Sequence, residues 1–317
     1  FLERGTHLLK ARGDLAYITP NNWLTINSAK VVREFVLRQS DISVINFYAK
    51  VFEDASVDTS ILMFEKGSHA PLLKLFESSG ADTLTLVHEA QPDYFLAQRD
   101  AIINIAAFRA GTTHGLLGKI EAGAQPLDAV ANVKVGLKAY QTGKGKPAQT
   151  EEMKKARVFH ARQTFNDSYL PYLDGRDVQR YGLGWSGEYL SYGEYLAEPR
   201  NMTLFSTPRI LVRQIPSAPP YSIHACYTAD VLLNDLNSMN IVNIQDAPLF
   251  LLGLLNSRLM TFWFVHKFGK LQRGVFPQFK VNELAQFPIA VANAAQKQAI
   301  SQRVEKILAD KKANLKA

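Results

Sequence analysis

The sequence predicts an α/β fold for the first part of the chain and an α+β domain behind it. Helix-like and strand-like apolar patterns alternate over residues 1–66, which is typical of a sheet with helices packed on it. From Leu127 onward the strand-like runs become short and are separated by Pro and Gly. The length of 317 residues suits two domains of ordinary size.

The first part contains two helices and three strands by its apolar spacing. The last two strands are too close for a helical crossover, so we expect an antiparallel hairpin at the edge of the sheet. Ser28 is the expected cap of the second helix, whose buried stripe is Val31, Val32, Phe35 and Val36. The predicted elements are a helix over residues 1–10, a strand over 15–18, a helix after Ser28, and strands over 42–48 and 59–64.

The rest of the chain divides into a connecting region and a second domain. The predicted boundaries are residues 1–66 for the α/β part, 67–115 for the connecting region and 116–317 for the second domain. The polar, Gly- and Lys-rich stretch 141–157 is predicted to be mobile. The other predicted elements are strands over 84–88, 133–138, 209–215 and 224–233, one helix over 247–263, and an amphipathic helix over 296–312.

Composition excludes several classes of protein. The chain is 47% apolar and 21% charged, so it has enough apolar residues for a sizeable core. One cysteine, Cys226, cannot form an internal disulfide or a zinc site built on several thiolates, and it favours a reducing, cytoplasmic location. No apolar run reaches the length of a membrane span and no signal peptide opens the chain, so no membrane is expected as a partner.

Positive charge is concentrated in the second part of the chain. The formal charge is +7, yet residues 1–66 hold equal numbers of basic and acidic groups and residues 111–317 carry a net charge of about +9. A basic domain beside a neutral one is typical of a protein that binds a polyanion. Charge alone leaves a basic domain without a nucleic-acid partner equally open.

Three segments resemble the TaqI-type adenine-specific DNA methyltransferases, in which the catalytic domain precedes the target-recognition domain. They are FLERGTHLLKARGDLAYITPNNWL, VVREFVL and VFEDASVDTSILMFEKG. The resemblance implies that residues 1–66 form the C-terminal part of a Rossmann-like methyltransferase sheet. It also implies S-adenosyl-L-methionine as cofactor, double-stranded DNA as partner, and membership of a restriction-modification system that can include partner subunits.

The second domain resembles the target-recognition domain of the same family more loosely. The similar segments are YLDGRDVQRYGL, PRILVRQI, LLGLLNSRLMTFWF and GVFPQFKVNELAQFPI. Segments like these also occur in specificity subunits of type I restriction systems. A non-catalytic DNA-recognition module is therefore the main alternative to an enzyme, and a protein-interaction scaffold is a third.

The resemblance gives roles to four residues of the first domain. Phe52 matches the loop aromatic that stacks on a flipped adenine; otherwise it is a ring that anchors its own loop. Phe1 matches an apolar contact to the adenine ring of the cofactor; otherwise it is a core residue. Pro20 and Asn21 end a strand where α/β folds place ligands, and they are expected to line the active cleft unless they only stop the strand.

The catalytic loop of the family, Asn or Asp followed by Pro-Pro and an aromatic residue, does not occur in this sequence. The nearest match, Pro219, Pro220 and Tyr221, is preceded by Ala218. No glycine-rich cofactor loop is present, and the chain opens on Phe1 without a methionine. We therefore expect a fragment whose catalytic loop lies upstream, with or without a fused nuclease, and which alone binds DNA but transfers no methyl group.

Basic residues of the second domain are the predicted DNA contacts, because Lys and Arg bind phosphates and Arg also reads guanine. The loop from Lys267 to Lys280 is the densest cluster, and a solvated basic loop is its alternative. The seven histidines show no metal-ligand spacing, so no metal site is predicted. The candidates are Arg176, Arg180, Arg209, Arg213, Lys267, Lys270, Arg273 and Lys280.

Overall fold

The computed structural model describes residues 1–47, 51–53, 57–67, 71–80, 83–98, 100–108, 113–268, 278 and 280–314. The chain divides into two compact units. Unit 1 consists of Phe1–Gly118 with Val265–Val275, and unit 2 of Lys119–Phe264 with Phe276–Ala317.

Unit 1 is built on one five-stranded sheet in the order β1-β3-β2-β4-β5. Strand β3 is antiparallel to both β1 and β2, whereas β2 and β4 are parallel. Its elements are α1 (Leu2–Leu8), β1 (Asp14–Pro20), α2 (Lys30–Val36), β2 (Ser40–Phe47), β3 (Thr59–Glu65), β4 (Leu73–Gly80), β5 (Thr83–Ala90) and α3 (Asp93–Leu96), with short 3-10 turns at Asn21–Leu24, Asn27–Ala29 and Ile105–Phe108.

The sheet differs from the sequence prediction in strand order and extent. The predicted hairpin of β2 and β3 exists, but it lies inside the sheet because β1 pairs with the other side of β3. Strands β4 and β5 fall in the predicted connecting region and continue the same sheet. Strand order depends on contacts far apart in sequence, which a local pattern does not contain.

Helix α2 buries a charged residue where an apolar stripe is predicted. Val31 is 75% exposed and Val32 is 38% exposed, whereas Arg33 and Val36 are fully buried. The helix begins at Lys30, after a 3-10 turn that contains Ser28, so the predicted Ser28 cap is wrong. The helix turns Arg33 towards the core because the guanidinium donates hydrogen bonds to backbone carbonyl oxygens there.

The Arg33 guanidinium joins three segments of unit 1. Its Nη1 donates to the carbonyl oxygens of Trp23 (2.6 Å) and Ile26 (2.7 Å). Its Nε and Nη2 donate to the carbonyl oxygen of Asp100 at 3.1 and 2.8 Å. Burial lowers the pKa of Arg33, with Asp100 and then Glu34 opposing that change. The turn that follows β1 is therefore held in place by one side chain from α2.

Unit 2 is a mixed α and β assembly with two four-stranded sheets, β15-β9-β12-β8 and β14-β13-β16-β7, and two strand pairs, β10-β11 and β17-β6. Its elements are α4 (Thr113–Ala122, which starts in unit 1), β6 (Ala124–Pro126), β7 (Asn132–Val135), α5 (Glu151–Ala156), β8 (His160–Ala161), β9 (Tyr169–Leu173), β10 (Val178–Gln179), β11 (Gly182–Leu183), β12 (Tyr189–Ser191), α6 (Thr203–Ser206), β13 (Arg209–Arg213), β14 (Ala225–Thr228), β15 (Leu233–Asn234), β16 (Ser238–Val242), α7 (Pro248–Leu255), α8 (Arg258–Phe268, which ends in unit 1), α9 (Val281–Leu284), β17 (Pro288–Ala290) and α10 (Ala294–Asn314).

The helix predicted over residues 247–263 is in fact two helices. Helices α7 and α8 meet at an angle of 59°, and the break falls at Asn256. The buried amide of Asn256 accepts from Ala225 N and donates to Ala225 O, both at 3.0 Å. Asn256 thereby pairs with the start of β14 as a neighbouring strand would. No single helix in the described ranges is long and apolar enough to cross a membrane, although the bent pair meets that test when taken together.

The stretch 141–157, which is predicted to be mobile, contains helix α5 and a buried glutamine. Its mobility stays a prediction. Gln149 is buried, and its Nε2 donates to Ala139 O at 2.8 Å and Tyr195 O at 2.7 Å. Its Oε1 accepts from Gln141 N at 2.9 Å. Thr150 then caps α5 by accepting from Met153 N. One amide thus satisfies three backbone groups, an arrangement that polar composition does not reveal.

Replacing Arg33 with Met should destabilise unit 1 by roughly 3 kcal/mol, because the carbonyl groups of Trp23, Ile26 and Asp100 lose the buried donor that joins them. The control is Arg38→Met, since Arg38 is exposed just beyond the same helix. Urea unfolding followed by circular dichroism measures both. Equal effects of the two substitutions would contradict a structural role for the buried guanidinium.

Candidate functional site

Several strands of the unit 1 sheet begin or end at the same end of the sheet, which is called its edge below. Strands β1 and β2 end there while β3 begins, since Pro20 pairs with Thr59 and Asn46 with Ser60. Strand β4 ends at the same edge, where Phe47 pairs with Ser78. The carboxyl ends of parallel strands are where open α/β sheets bind ligands. This edge is therefore the candidate active-site edge.

Asn21 lies buried beneath this edge. Its Nδ2 donates to Asn46 Oδ1 at 2.7 Å, and its backbone N donates to Asp58 O at 2.9 Å. Both asparagine side chains are about 95% buried. The pair links the end of β1 to the end of β2 across β3, so Asn21 supports the edge from inside unit 1.

Hydroxyl groups of β1 and β3 complete the polar layer. Trp23 Nε1 donates to Ser60 Oγ at 3.3 Å, and Ser60 Oγ lies 3.4 Å from Thr19 Oγ1. Thr59 is 3% exposed, and its Oγ1 has no hydrogen-bond partner among the described residues. A buried hydroxyl without a partner carries a desolvation cost of about 1–3 kcal/mol.

Phe52 lies in the connection between β2 and β3, which leaves the sheet from this edge. Its side chain is 45% exposed, and Val51 before it and Val57 after it are also exposed. An aromatic ring must be accessible to stack on a base. The ring does not fill the core of its own unit, and its stacking role stays a prediction.

The other two residues assigned from the resemblance lie at the surface. Phe1 precedes α1, its carbonyl oxygen accepts from Gly5 N at 2.8 Å, and its ring is fully exposed. The residues of this chain leave the Phe1 ring uncovered, and its contact to the cofactor stays a prediction. Pro20 is exposed at the last position of β1, next to the buried Asn21.

Arg209 is removed from the predicted DNA contacts because it is completely buried. Its Nη2 donates to Leu232 O at 2.6 Å, and its Nε donates to Asn240 Oδ1 at 3.1 Å. Its Nη1 donates to Phe205 O at 2.9 Å and Thr207 O at 3.2 Å. Burial lowers its pKa to about 10, with nearby Cys226 and Asp230 opposing the change. Arg209 is a structural residue of unit 2.

Arg176 is exposed and forms an ion pair. Its Nη2 lies 3.1 Å from Asp174 Oδ2. The Asp177 carboxylate accepts from Asp174 N at 2.9 Å. A surface ion pair of this kind contributes little to stability, so Arg176 is accessible to a DNA phosphate at small cost.

Arg180 and Arg213 lie close together in unit 2. The Arg180 guanidinium lies 4.0 Å from the centre of the Tyr221 ring, and its Nε donates to Asn256 O at 3.1 Å. Arg213 ends β13, and its backbone N donates to His224 O at 2.9 Å. Both arginines are half-buried. The Arg180 side chain is thus held by two contacts, whereas for Arg213 the backbone is held.

The predicted basic loop is only partly described. Lys267 belongs to unit 1, where Asn104 Nδ2 donates to its carbonyl oxygen at 2.7 Å and to that of His266. Lys280 is exposed in unit 2, and its backbone N donates to Glu283 Oε2 at 2.7 Å. Lys270 and Arg273 lie outside the described residues.

Neither Cys226 nor the His, Asp and Glu side chains of the described residues form a nucleophilic or metal-binding site. Cys226 is buried in β14, and burial raises the pKa of its thiol to about 12. The thiol is therefore neutral at ordinary pH, which favours a structural role over nucleophilic chemistry. Within the described ranges, no group of three or more His, Cys, Asp or Glu side chains is placed to hold a metal ion.

Two protein families match separate parts of the chain. Residues 1–52 match the Eco57I restriction-modification methylase family. Residues 170–289 match the TaqI-like C-terminal specificity domain. These matches confirm the resemblance to TaqI-type restriction-modification methyltransferases that the sequence predicts.

Relatives with curated names point to the same class. The type II methyltransferase M.TthHB8I of Thermus thermophilus is 23% identical over 215 residues, which are 67% of this chain and 44% of the relative. The putative type II restriction enzyme and methyltransferase RM.MjaORFECS2P of Methanocaldococcus jannaschii is 25% identical over 308 residues, 92% of this chain and 24% of the relative. The chain spans less than half the length of either.

Solved structures share the fold. The type IIL restriction-modification enzyme MmeI, solved in complex with DNA, matches with a TM-score of 0.59 and 14% identity over 98% of this chain and 44% of that one. The type ISP enzyme LlaGI, solved with a DNA substrate mimic, matches with a TM-score of 0.51 and 9% identity over 97% of this chain and 30% of that one. The chain is therefore similar to restriction-modification methyltransferases in sequence and fold.

Replacing Asn21 with Ala should destabilise unit 1 by roughly 1–3 kcal/mol, because Asn46 Oδ1 then loses its donor inside the protein. The exposed neighbour Asn22 provides the control, and Asn22→Ala should change stability by less than about 0.5 kcal/mol. Urea unfolding of Asn21→Ala, Asn46→Ala and the double variant gives the coupling. Strict additivity of the two substitutions would show that the amides do not support each other.

Proposed function

We propose that this chain forms part of a site-specific DNA adenine-N6 methyltransferase of a restriction-modification system. Unit 1 supplies the edge against which a flipped adenine rests, and unit 2 binds and reads duplex DNA. The observation that carries the proposal is the exposed ring of Phe52, in a loop that leaves the carboxyl edge of β1 and β2. The matched methylase and specificity families support the same division of roles.

Phe52 acts by holding the target base outside the duplex. The exocyclic amine of adenine is inaccessible to chemistry inside a stacked helix, so the base is extruded at a cost of a few kcal/mol. Stacking on an aromatic ring contributes about 1–3 kcal/mol per base, which offsets much of that cost. The polar layer of Asn21, Asn46 and Ser60 beneath the edge keeps the strand ends fixed while the loop carries the ring.

The cofactor contact of this chain is limited to one ring. S-adenosyl-L-methionine supplies the methyl group, and the exposed Phe1 ring can pack flat against its adenine. A single apolar face fits the base but not the charged amino-acid end of that molecule. We therefore propose that the rest of the cofactor site and the catalytic loop correspond to parts of such methyltransferases that this chain, which spans less than half the length of its curated relatives, does not match.

A non-catalytic DNA-recognition module is the second candidate. The observation that favours it is the absence of the catalytic tetrapeptide from these 317 residues. Both candidates place duplex DNA on unit 2, and they differ only in whether the sheet edge of unit 1 receives a base.

Duplex binding tests what the two candidates share. Fluorescence anisotropy of this chain with a duplex oligonucleotide should show affinity that falls as salt rises from 50 to 200 mM. Three phosphate contacts correspond to a loss of roughly 40-fold over that range. An acidic or neutral globular protein of similar size is the control. Affinity that does not change with salt would contradict a DNA-binding role for unit 2.

Replacing Phe52 with Ala should lower methyl transfer roughly tenfold or more in the complete protein, because the flipped base loses its stacking partner. Phe52→Trp should restore most of the rate, since it keeps an aromatic face. Val57→Ala removes a comparably exposed apolar side chain from the same connection and is the matched control. Transfer of labelled methyl groups to DNA measures turnover, and filter binding measures duplex affinity.

The Phe52 proposal requires turnover to fall while duplex affinity stays within about twofold. A Phe52→Ala protein with normal turnover would exclude the stacking role. A parallel loss of duplex affinity would instead assign Phe52 to general DNA binding.

A further inference from the structure

Separate elements of unit 2 bring four basic side chains to the start of β14. The turn between β10 and β11 carries Arg180 and Tyr181, and Tyr181 N donates to Ala225 O at 2.8 Å. The residue before Ala225 is His224, whose carbonyl oxygen accepts from Arg213 N at 2.9 Å. Backbone hydrogen bonds therefore fix Arg180 and Arg213 on either side of His224.

The fourth basic side chain comes from the end of α10. A Cβ atom built on Gly182 would lie 3.8 Å from Cδ of Lys311, so the lysine stem passes over the turn between β10 and β11. The same three residues act on His224, because its pKa is lowered by burial and then by the charges of Arg213, Arg180 and Lys311. The cluster thus contains Arg180, Arg213, His224 and Lys311.

The cluster carries positive charge without acidic compensation in the described part of the chain. Within the part of the chain that the structure describes, the side chains of Arg213 and Lys311 form no ion pair and no hydrogen bond. Arg180 donates to a neutral carbonyl oxygen, that of Asn256, and stacks on Tyr221. Three cations around one imidazole repel one another in a partly buried setting, and a bound anion would relieve that repulsion.

His224 adds an unmet hydrogen-bonding group. Its Nδ1 is buried without a hydrogen-bond partner among the described residues, whereas Nε2 is not enclosed in this way. The groups that face it from the surrounding elements are Arg213 of β13, Arg180 of the β10-β11 turn and Lys311 of α10, with the Tyr181 and Tyr221 phenols beside Arg180. None of these groups is acidic at neutral pH.

We propose that Arg180, Arg213, His224 and Lys311 form one phosphate-binding site for the DNA backbone, and that His224 takes up a proton when the phosphate binds. The inference rests on the proposed DNA-binding function of unit 2 and deepens it. A phosphate contact fixes the register of the protein on the duplex without reading sequence. His224 and Lys311 join two arginines that the sequence already indicates.

The pH dependence follows from the sign of the electrostatic change. In the free protein burial, and then the three cations, disfavour imidazolium, so the pKa of His224 lies below its ordinary value. A phosphate placed among them favours the charged imidazolium, which raises that pKa in the complex. The complex therefore binds more protons than the free protein, and DNA affinity increases as pH falls from 7.5 to 5.5.

Salt dependence tests the site residue by residue. Binding of a duplex oligonucleotide is measured at several potassium chloride concentrations for the unmodified chain, Arg213→Gln, Lys311→Gln and Lys312→Gln. Lys312 is the next residue on α10 and is exposed, so it removes the same charge from the same helix. Arg213→Gln and Lys311→Gln should each flatten the slope of log affinity against log salt by about 0.9, and Lys312→Gln by less than half of that.

The imidazole is tested with His224→Gln, which keeps a neutral polar group of similar size. Between pH 7.5 and 5.5 the unmodified chain should gain roughly threefold or more in affinity beyond any gain of His224→Gln. Circular dichroism melting curves establish that every variant is folded at both pH values. Lys311→Gln, at the surface, keeps the test valid should His224→Gln unfold.

The possible outcomes distinguish a failure of the phosphate site from a failure of DNA binding by unit 2. Steep salt dependence in the unmodified chain, with slopes and pH profiles unchanged in Arg213→Gln, Lys311→Gln and His224→Gln, overturns the phosphate site and leaves DNA binding by unit 2 intact. Absence of duplex binding by the folded, unmodified chain at 50 mM salt overturns both. Flattened slopes with an unchanged pH profile overturn the role of His224 as proton acceptor.

Discussion

One fully buried guanidinium group in each unit holds several loops in place, and the one in unit 1 fixes the turn beside the candidate active-site edge. Arg33 in unit 1 donates only to backbone carbonyl oxygens, and so fixes the turn that follows β1 at the active-site edge. Arg209 in unit 2 donates to carbonyl oxygens on either side of β13 and to the amide of Asn240. A buried cation is costly unless its donors are satisfied. These loops are therefore constrained to the arrangements that satisfy each arginine.

At the candidate active-site edge, the residues that support the strand ends are different from the residue that is exposed for contact with a ligand. Asn21 Nδ2 donates to Asn46 Oδ1 below the edge, so the two side chains stiffen it. Phe52 is carried in the connection outside the sheet and stays accessible. Support from inside the fold and contact from an exposed loop is the usual division in binding sites on α/β sheets. It explains how one short connection can adapt to a base without disturbing the sheet.

The sequence predicts local elements well and misses arrangements that depend on distant partners. The strands over 42–48 and 59–64 are recognisable because alternating apolar residues are a local signal. The central position of β3 is not, since it is set by pairing with β1. Residues such as Arg33, Arg209 and Gln149 look like surface groups in the sequence, yet each is buried because it satisfies backbone atoms that only the fold brings together. The role predicted for Phe52 rests on family resemblance, whereas the neighbourhood of His224 and Lys311 required the structure.

The central claim is that the sheet edge of unit 1 receives an adenine, so that this chain serves a methyltransferase and not a recognition module alone. The most direct measurement is nucleoside mass spectrometry of DNA from cells that express the complete protein carrying this chain, compared with its Phe52→Ala variant. The account predicts N6-methyladenine in the first sample and much less in the second. Methylated cytosine in its place, or DNA without any added methyl group, would contradict it.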